Sequence, residues 1–207
     1  MTIPKNKLTV ILGNIGSGKS SLLYSILNEM KPSPESSICI NGSIAFVPQK
    51  SWIMSGTLKE NICFTLDEDM EKIEEVIKYA SMEKDMELFT KGVDTIIGEK
   101  GVNLSGGQKA RVSFARALYS DREIYLLDDL LSAVDVHVGN FLMKETLTKH
   151  LKGKTIIMAT HSLKFAESAD EIIIMKKGRI VKSGCRDEVL KSEEFDELKE
   201  EEKSEKK

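Results

Sequence analysis

Apolar positions along the chain follow two rhythms, short unbroken runs and helical stripes. Thr9 to Leu12, Ile124-Tyr125-Leu126-Leu127 and Thr155 to Thr160 are runs of four to six residues rich in β-branched or aromatic side chains. That is the pattern of strands buried on both faces. Leu22, Leu23, Ile26, Leu27 and Met30 recur at helical spacing, as do Met70, Ile73, Val76, Ile77 and Ala80, and then Ala110, Phe114, Ala117 and Leu118. A further helix is expected to carry Phe141, Leu142 and Leu147. Alternating strands and helices predict an α/β fold built on a parallel sheet.

Other stretches break these rhythms. Ser37 to Ile40 and Ser43 to Val47 are β-rich runs flanking Asn41-Gly42, which predicts a hairpin. Glu171 to Met175 and Arg179 to Lys182 flank Lys177-Gly178 and predict a second, terminal hairpin. Ser51 to Phe89 shows helical periodicity with no strand signal, and Thr57 with Glu60 fits a capping box. This stretch is expected to form a separate helical lobe, with Lys91 to Gly101 as a turn-rich return. From Glu193 onward, 12 of the last 15 residues are charged with mixed sign. A solvated helix or a disordered tail without function is expected there.

Composition narrows the classes. A chain of 207 residues with 41% hydrophobic content can bury a substantial core. A net charge of −3 supplies no basic field for nucleic acid. Cys39, Cys63 and Cys185 are odd in number and lack C-x-x-C spacing, so neither a disulfide framework nor a zinc site is expected. No apolar run approaches the roughly 18 residues of a membrane span.

The chemistry starts at Gly13. Gly13, Asn14, Ile15, Gly16, Ser17, Gly18, Lys19 and Ser20 fit G-x-x-x-x-G-K-[ST] between a strand and a helix, the order a phosphate-binding loop requires. Its glycines let backbone N–H groups turn inward, and the helix start adds partial positive charge. Lys19 is expected on the β- and γ-phosphates and the Ser20 hydroxyl on Mg²⁺, with Ser21 beside them. Three further strand ends are polar: Gln49 after Val47-Pro48, Asp128-Asp129 after Leu127, and His161 after Thr160. In open α/β sheets, ligands sit at the carboxyl ends of strands. Two carboxylates ending an apolar run are costly unless they serve a cation or a water, which gives Asp128 to Mg²⁺ and Asp129 to water positioning. Ser105, Gly106, Gly107 and Gln108 open another helix, with Ser105 as N-cap. This second Gly-rich helix start is able to hold an anion.

Together, Gly13–Ser20, Gln49, Leu104–Gln108, Ile124–Asp129, Ser132–Asp135 and His161 resemble the Walker A, Q-loop, signature, Walker B, D-loop and H-loop of an ABC-transporter nucleotide-binding domain. The signature discriminates, because other P-loop families lack it, and no N-K-x-D base reader of GTPases occurs. Ala45 to Ile53 and Gly98 to Gln108 further resemble the first nucleotide-binding domain of the C subfamily, the multidrug-resistance-associated type. The resemblance implies a RecA-like P-loop core at 1–50 and 90–192, a helical lobe at 51–118 overlapping that boundary, and a charged tail at 193–207. It also implies that the family's N-terminal antiparallel β part is truncated here, with the adenine-stacking aromatic upstream of Met1.

The resemblance assigns roles as well. Two such domains close head to tail, with each ATP between one domain's Walker A and the other's signature. Gln49 joins the Mg²⁺ shell, His161 holds the attacking water at the γ-phosphate, and Asp135 links the two sites. The helical lobe and Glu99-Lys100-Gly101 meet the transmembrane domains, which implies a chain on the cytosolic face of a membrane. Asp129 stands where most of the superfamily has a catalytic Glu, so slow hydrolysis is expected at this domain's own site. Leu130 replaces a Pro often found next. A binding-only regulatory domain and a soluble non-transport ABC ATPase are the alternative functions.

Overall fold

The computed structural model describes residues 1–31, 37–98 and 103–205. Its strands are β1 (Leu8–Leu12), β2 (Ile44–Val47), β3 (Gly56–Thr57), β4 (Ile96–Ile97), β5 (Ile124–Asp128), β6 (Thr155–Thr160), β7 (Glu171–Lys176) and β8 (Arg179–Cys185). The helices are α1 (Lys19–Ile26), α2 (Leu58–Cys63), α3 (Met70–Tyr79), α4 (Glu83–Leu88), α5 (Gly106–Tyr119), α6 (Val136–Phe141), α7 (Arg186–Val189) and α8 (Glu193–Glu205). Leu142–His150 continues α6 in π-helical geometry.

Six strands form one sheet in the order β2-β5-β6-β1-β7-β8. Every pairing from β2 to β7 is parallel, and only β8 runs antiparallel, as the outer half of the β7–β8 hairpin. Alternation along β1 explains its unbroken apolar run. Val10 and Leu12 face the larger core, with Leu127, Met158, Ile172 and the buried side of α5. Ile11 faces the other, with Leu126, Ile157, Ile173 and Leu23 of α1. Both faces of the central strands are therefore dry, and the sheet is a mixed α/β layer as its periodicity predicts.

Two expectations about strands are overturned. Ser37–Ile40 forms no strand, and Ile38 and Ile40 are exposed. The partner of β2 is β5, with Ile44 opposite Ile124, so the Asn41-Gly42 hairpin does not form. Glu123 explains the outcome: its carboxylate accepts from the Ser43 N–H at 2.8 Å, and Ile124 N–H donates to Ser43 O at 3.0 Å. These bonds feed the chain directly into the parallel ladder. The helical insert also contains strand after all, because Gly56–Thr57 pairs antiparallel with Ile96–Ile97.

Helices start where their caps stand. Thr57 and Glu60 form the expected capping box of α2. Asp69 caps α3 by accepting from Lys72 N–H. The first helix stops sooner than its apolar stripe predicts: Asn28 turns left-handed at φ 59°, ending α1 before Met30, which is exposed.

Candidate functional site

The loop after β1 wraps the start of α1. Gly18, at φ 100°, is the cap of α1, a conformation that side chains with a Cβ rarely adopt. A Cβ at Gly13 would drive into the Met175 carbonyl oxygen and would stand 2.6 Å from Ser17 Oγ. Glycine at these positions is therefore a packing requirement as well as a conformational one. The turn after β7 closes the loop from behind, with Gly178 N–H donating to Ser17 O at 2.9 Å.

Lys19 folds over this loop, its Nζ donating to Gly13 O at 2.6 Å and Asn14 O at 2.9 Å. Burial pushes its ammonium below the usual lysine range, and the carboxylates of Asp129 and Asp128 partly offset that. Ser20 Oγ donates to Asp128 Oδ1 at 2.9 Å, joining α1 to the end of β5. Burial raises the Asp128 carboxyl above its ordinary value, with the Asp129 charge adding to the rise and the Ser20 bond opposing it.

Asp129 follows immediately, in the left-handed region at φ 52°, held by its N–H on Ala159 O at 2.9 Å. Its Oδ1 lies 3.3 Å from His161 Nδ1, and Gln49 Nε2 reaches its Oδ2 at 3.5 Å. The carboxyl ends of β1, β2, β5 and β6 thus bring together Lys19, Ser20, Gln49, Asp128, Asp129 and His161. Gln49 meets Asp129 rather than the Ser20–Asp128 pair. Ile15 and Gly16 are exposed at the loop tip, and Ser21 is exposed on α1.

The second Gly-rich turn is built differently. Ser105 and Gln108 form a reciprocal capping box at the start of α5. Gly107 sits so close to the Ala133 carbonyl oxygen that a Cβ there would stand 2.9 Å from it. Asp135 caps α6, accepting from His137 N–H at 2.9 Å and Val138 N–H at 3.1 Å, and these bonds hold its carboxyl below the usual range. Glu99–Gly101 lies outside the described residues.

The sequence gives no signal for one neighbour of the loop. Helix α8 is anchored by buried Phe195 and Leu198, and Glu201 Oε2 accepts from Asn14 Nδ2 at 2.7 Å. Lys176 ties α8 to β7 through Glu197 at 2.9 Å and Glu201 at 3.1 Å. A small hollow is bounded by Gly13, Asn14, Ile15, His161, Leu163, Leu198 and Glu202. The charged tail is a helix, as one of its two expected forms, but it is packed beside the Gly13–Ser20 loop rather than only solvated.

The residues present fit a Mg²⁺-bound nucleoside triphosphate. Ser17 Oγ is buried without a hydrogen-bond partner among the described residues, and Asp129 Oδ1 is buried with only His161 Nδ1 near it, at 3.3 Å and not in hydrogen-bond geometry. Ser20 and Asp128 offer hard oxygen donors 2.9 Å apart. The Lys19 ammonium has loop carbonyls where phosphate oxygens would be stronger acceptors. The family model described as "ABC transporter" matches residues 1–132. This chain belongs to the ABC transporter family.

Relatives of this ABC domain carry C-family or multidrug-resistance names. It is 49% identical over 185 residues to the "Multidrug resistance protein" of Leishmania tarentolae, covering 89% of this chain and 12% of that protein. It is 46% identical over 192 residues to "ABC transporter C family member 13" of Oryza sativa subsp. indica, covering 93% and 13%. With "Multidrug resistance protein mrp-7" of Caenorhabditis elegans the identity is 44% over 193 residues, covering 92% and 13%. The ABC domain thus spans about an eighth of the length of the curated relatives it matches. Among its described residues, no helix is long and apolar enough to cross a membrane.

Proposed function

We propose that this chain is the ATP-binding domain of a C-family exporter, coupling ATP binding and hydrolysis to transport by membrane domains elsewhere in the protein. The observation that carries this reading is the convergence of Lys19, the Ser20–Asp128 pair, and Asp129 with His161 and Gln49 on one strand-end edge. Gly13–Gly18 and Lys19 bind the phosphates. Ser20 and Asp128 would hold Mg²⁺, which would neutralise charge on the phosphate oxygens, and Gln49, 3.5 Å from Asp129, is the further Mg²⁺ ligand that the family resemblance implies. His161 and Asp129, 3.3 Å apart, are the pair able to orient a water and accept its proton. Asp129 is one methylene shorter than a Glu, so the domain's own site mainly holds ATP and hydrolyses it slowly.

Ser105–Gln108 completes the nucleotide site of a second such domain, and Asp135 links the two sites across a head-to-tail pair. The core is read as 1–50 and 90–192, with 51–118 as the lobe facing the membrane domains together with Glu99–Gly101, on the cytosolic side. Exposed Trp52 and Phe64, edge to face at 5.4 Å, support a docking surface on that lobe, with the Arg116 guanidinium 4.0 Å from the Trp52 ring centre. Ser105→Arg in the full transporter tests the pairing. ATP binding at Lys19 is expected to persist while turnover at the partner's site is lost. Reduced affinity at this chain's own site, with no partner present, would contradict the head-to-tail reading.

A further inference from the structure

Asp85 is the one buried carboxylate outside the strand-end site among the described residues. It belongs to α4, is 6% exposed, and has no part in the roles assigned above. Its Oδ1 accepts from Gln108 Nε2 at 3.0 Å and from Arg111 Nη2 at 3.0 Å, and its Oδ2 pairs with Arg111 Nη2 at 2.9 Å. Arg111 Nη1 also donates to Ser81 O at 3.2 Å, at the turn leading into α4. One carboxylate therefore joins α4 to two successive turns of α5.

The chemistry of Gln108 makes this bond directional. A side-chain amide has one accepting end and one donating end. Oε1 of Gln108 accepts from Ser105 N–H at 2.8 Å, closing the capping box, while Nε2 donates to Asp85. An ionised carboxylate only accepts, so Asp85 compels the amide to present Nε2 to it and leaves Oε1 for Ser105. Without Asp85, a flipped amide would set two donors against each other at Ser105, and the cap would open. Gly107, wedged against Ala133 O, holds the other side of the same turn.

We propose that Asp85 is a positioning residue of the ATPase reaction. It locks the Gln108 amide so that the turn Ser105-Gly106-Gly107 presents the Ser105 hydroxyl and the glycine N–H groups to the triphosphate held by a second domain. This inference rests on the reading of Ser105–Gln108 as acting on the partner's nucleotide. Asp85 touches no phosphate itself and acts only through Gln108, with Arg111 fixing its own orientation.

The test is a kinetic double-mutant cycle in the intact transporter, reading kcat for ATP at the partner's site and ATP affinity at this chain's own loop. Asp85→Ala is expected to lower partner-site kcat by about tenfold, less than the roughly hundredfold that a misplacement of about 1 Å can cost. Affinity at the Lys19 loop should be unchanged. In a Gln108→Ala background, Asp85→Ala should cost less than about twofold more, because the amide it orients is gone. Full multiplication of the two effects, or unchanged kcat in Asp85→Ala, would overturn the proposal.

Should Asp85→Ala fail to fold, reversing the polarity replaces it. Gln108→Glu keeps an acceptor for Ser105 N–H but sets two carboxylates against each other, and should lose kcat to the same extent. Adding Asp85→Asn supplies a donor to Glu at 108 and should restore kcat to within about threefold of wild type. No recovery would count against Asp85 as the positioning group. Ser105→Arg, run in parallel, separates the two claims. If it leaves partner-site turnover intact, the pairing reading is wrong; if it abolishes turnover while the Asp85 variants do not alter it, only the Asp85 proposal is.

Discussion

Asp129→Glu sets two effects of one methylene against each other. The carboxylate now stands 3.3 Å from His161 Nδ1 and 3.5 Å from Gln49 Nε2, so it meets its neighbours only at the limit of hydrogen-bond reach. A Glu advances it by about 1 Å, and a displacement of that size at a reacting water is able to change the rate by roughly 10²-fold. The backbone pulls the other way. Asp129 sits at φ 52°, a region that Asp tolerates through local hydrogen bonding and that costs a longer residue roughly 1 kcal/mol. That cost lowers the melting temperature by about 2–4 °C for a chain of this size. The substitution is therefore expected to speed hydrolysis while weakening the fold. The assay is single-turnover ATP hydrolysis in the full transporter with the partner's catalytic carboxylate removed, paired with a thermal melt. An unchanged rate would refute Asp129 as the water-orienting group. A wild-type rate that already equals the variant's would refute the claim of a slow site.

Other outcomes follow from the same geometry. Glu201→Ala frees Asn14 and removes a negative charge beside the phosphate loop, so ATP affinity should tighten by roughly two- to fivefold at low salt, less at high salt; a nucleotide titration at two ionic strengths reads this. Gly13→Ala forces a methyl into the Met175 carbonyl and should cost about 2 kcal/mol of stability, measured by urea denaturation. The Asp128 carboxyl is raised in the fold, so the native state holds its proton to higher pH than the unfolded chain does. The contribution of Asp128 to the stability of the nucleotide-free protein should then fall as pH rises from 3.8 through the raised value, against the opposite trend of carboxylates held low, such as Asp121 and Asp135. Asp128→Asn should remove that fall in a pH series of thermal melts, and should weaken the dependence of ATP binding on Mg²⁺.

Local chemistry made part of this molecule legible. The run Thr9–Leu12, the glycine loop and the apolar stripe of α1 are adjacent in sequence, so strand, loop and helix are read together. Caps at Thr57 and Ser105 are readable for the same reason, since their partners stand three residues away. The polar residues ending β2, β5 and β6 are legible as a group only because parallel strands share one carboxyl edge. Long-range partners were not legible. The Asn41-Gly42 signal is local, and it loses to the Ser43–Glu123 bonds and to pairing of Ile44 with Ile124, 80 residues away. The charged composition of Glu193–Glu205 masks two apolar anchors, Phe195 and Leu198, which seat the helix by the loop. Asp85 lies in an ordinary amphipathic stretch, and only folding brings it to Gln108.

The central claim is that Gly13–Ser20 binds the phosphates of ATP through Lys19. A titration of the chain with ATP and Mg²⁺, wild type against Lys19→Ala, tests it most directly. Lys19 is the side-chain cation of the loop, and hydrogen bonds to charged groups contribute about 1.5–3 kcal/mol each. Affinity is therefore expected to fall roughly ten- to a hundredfold in the variant. Equal affinity in the two proteins would contradict the assignment of the loop and the account built on it.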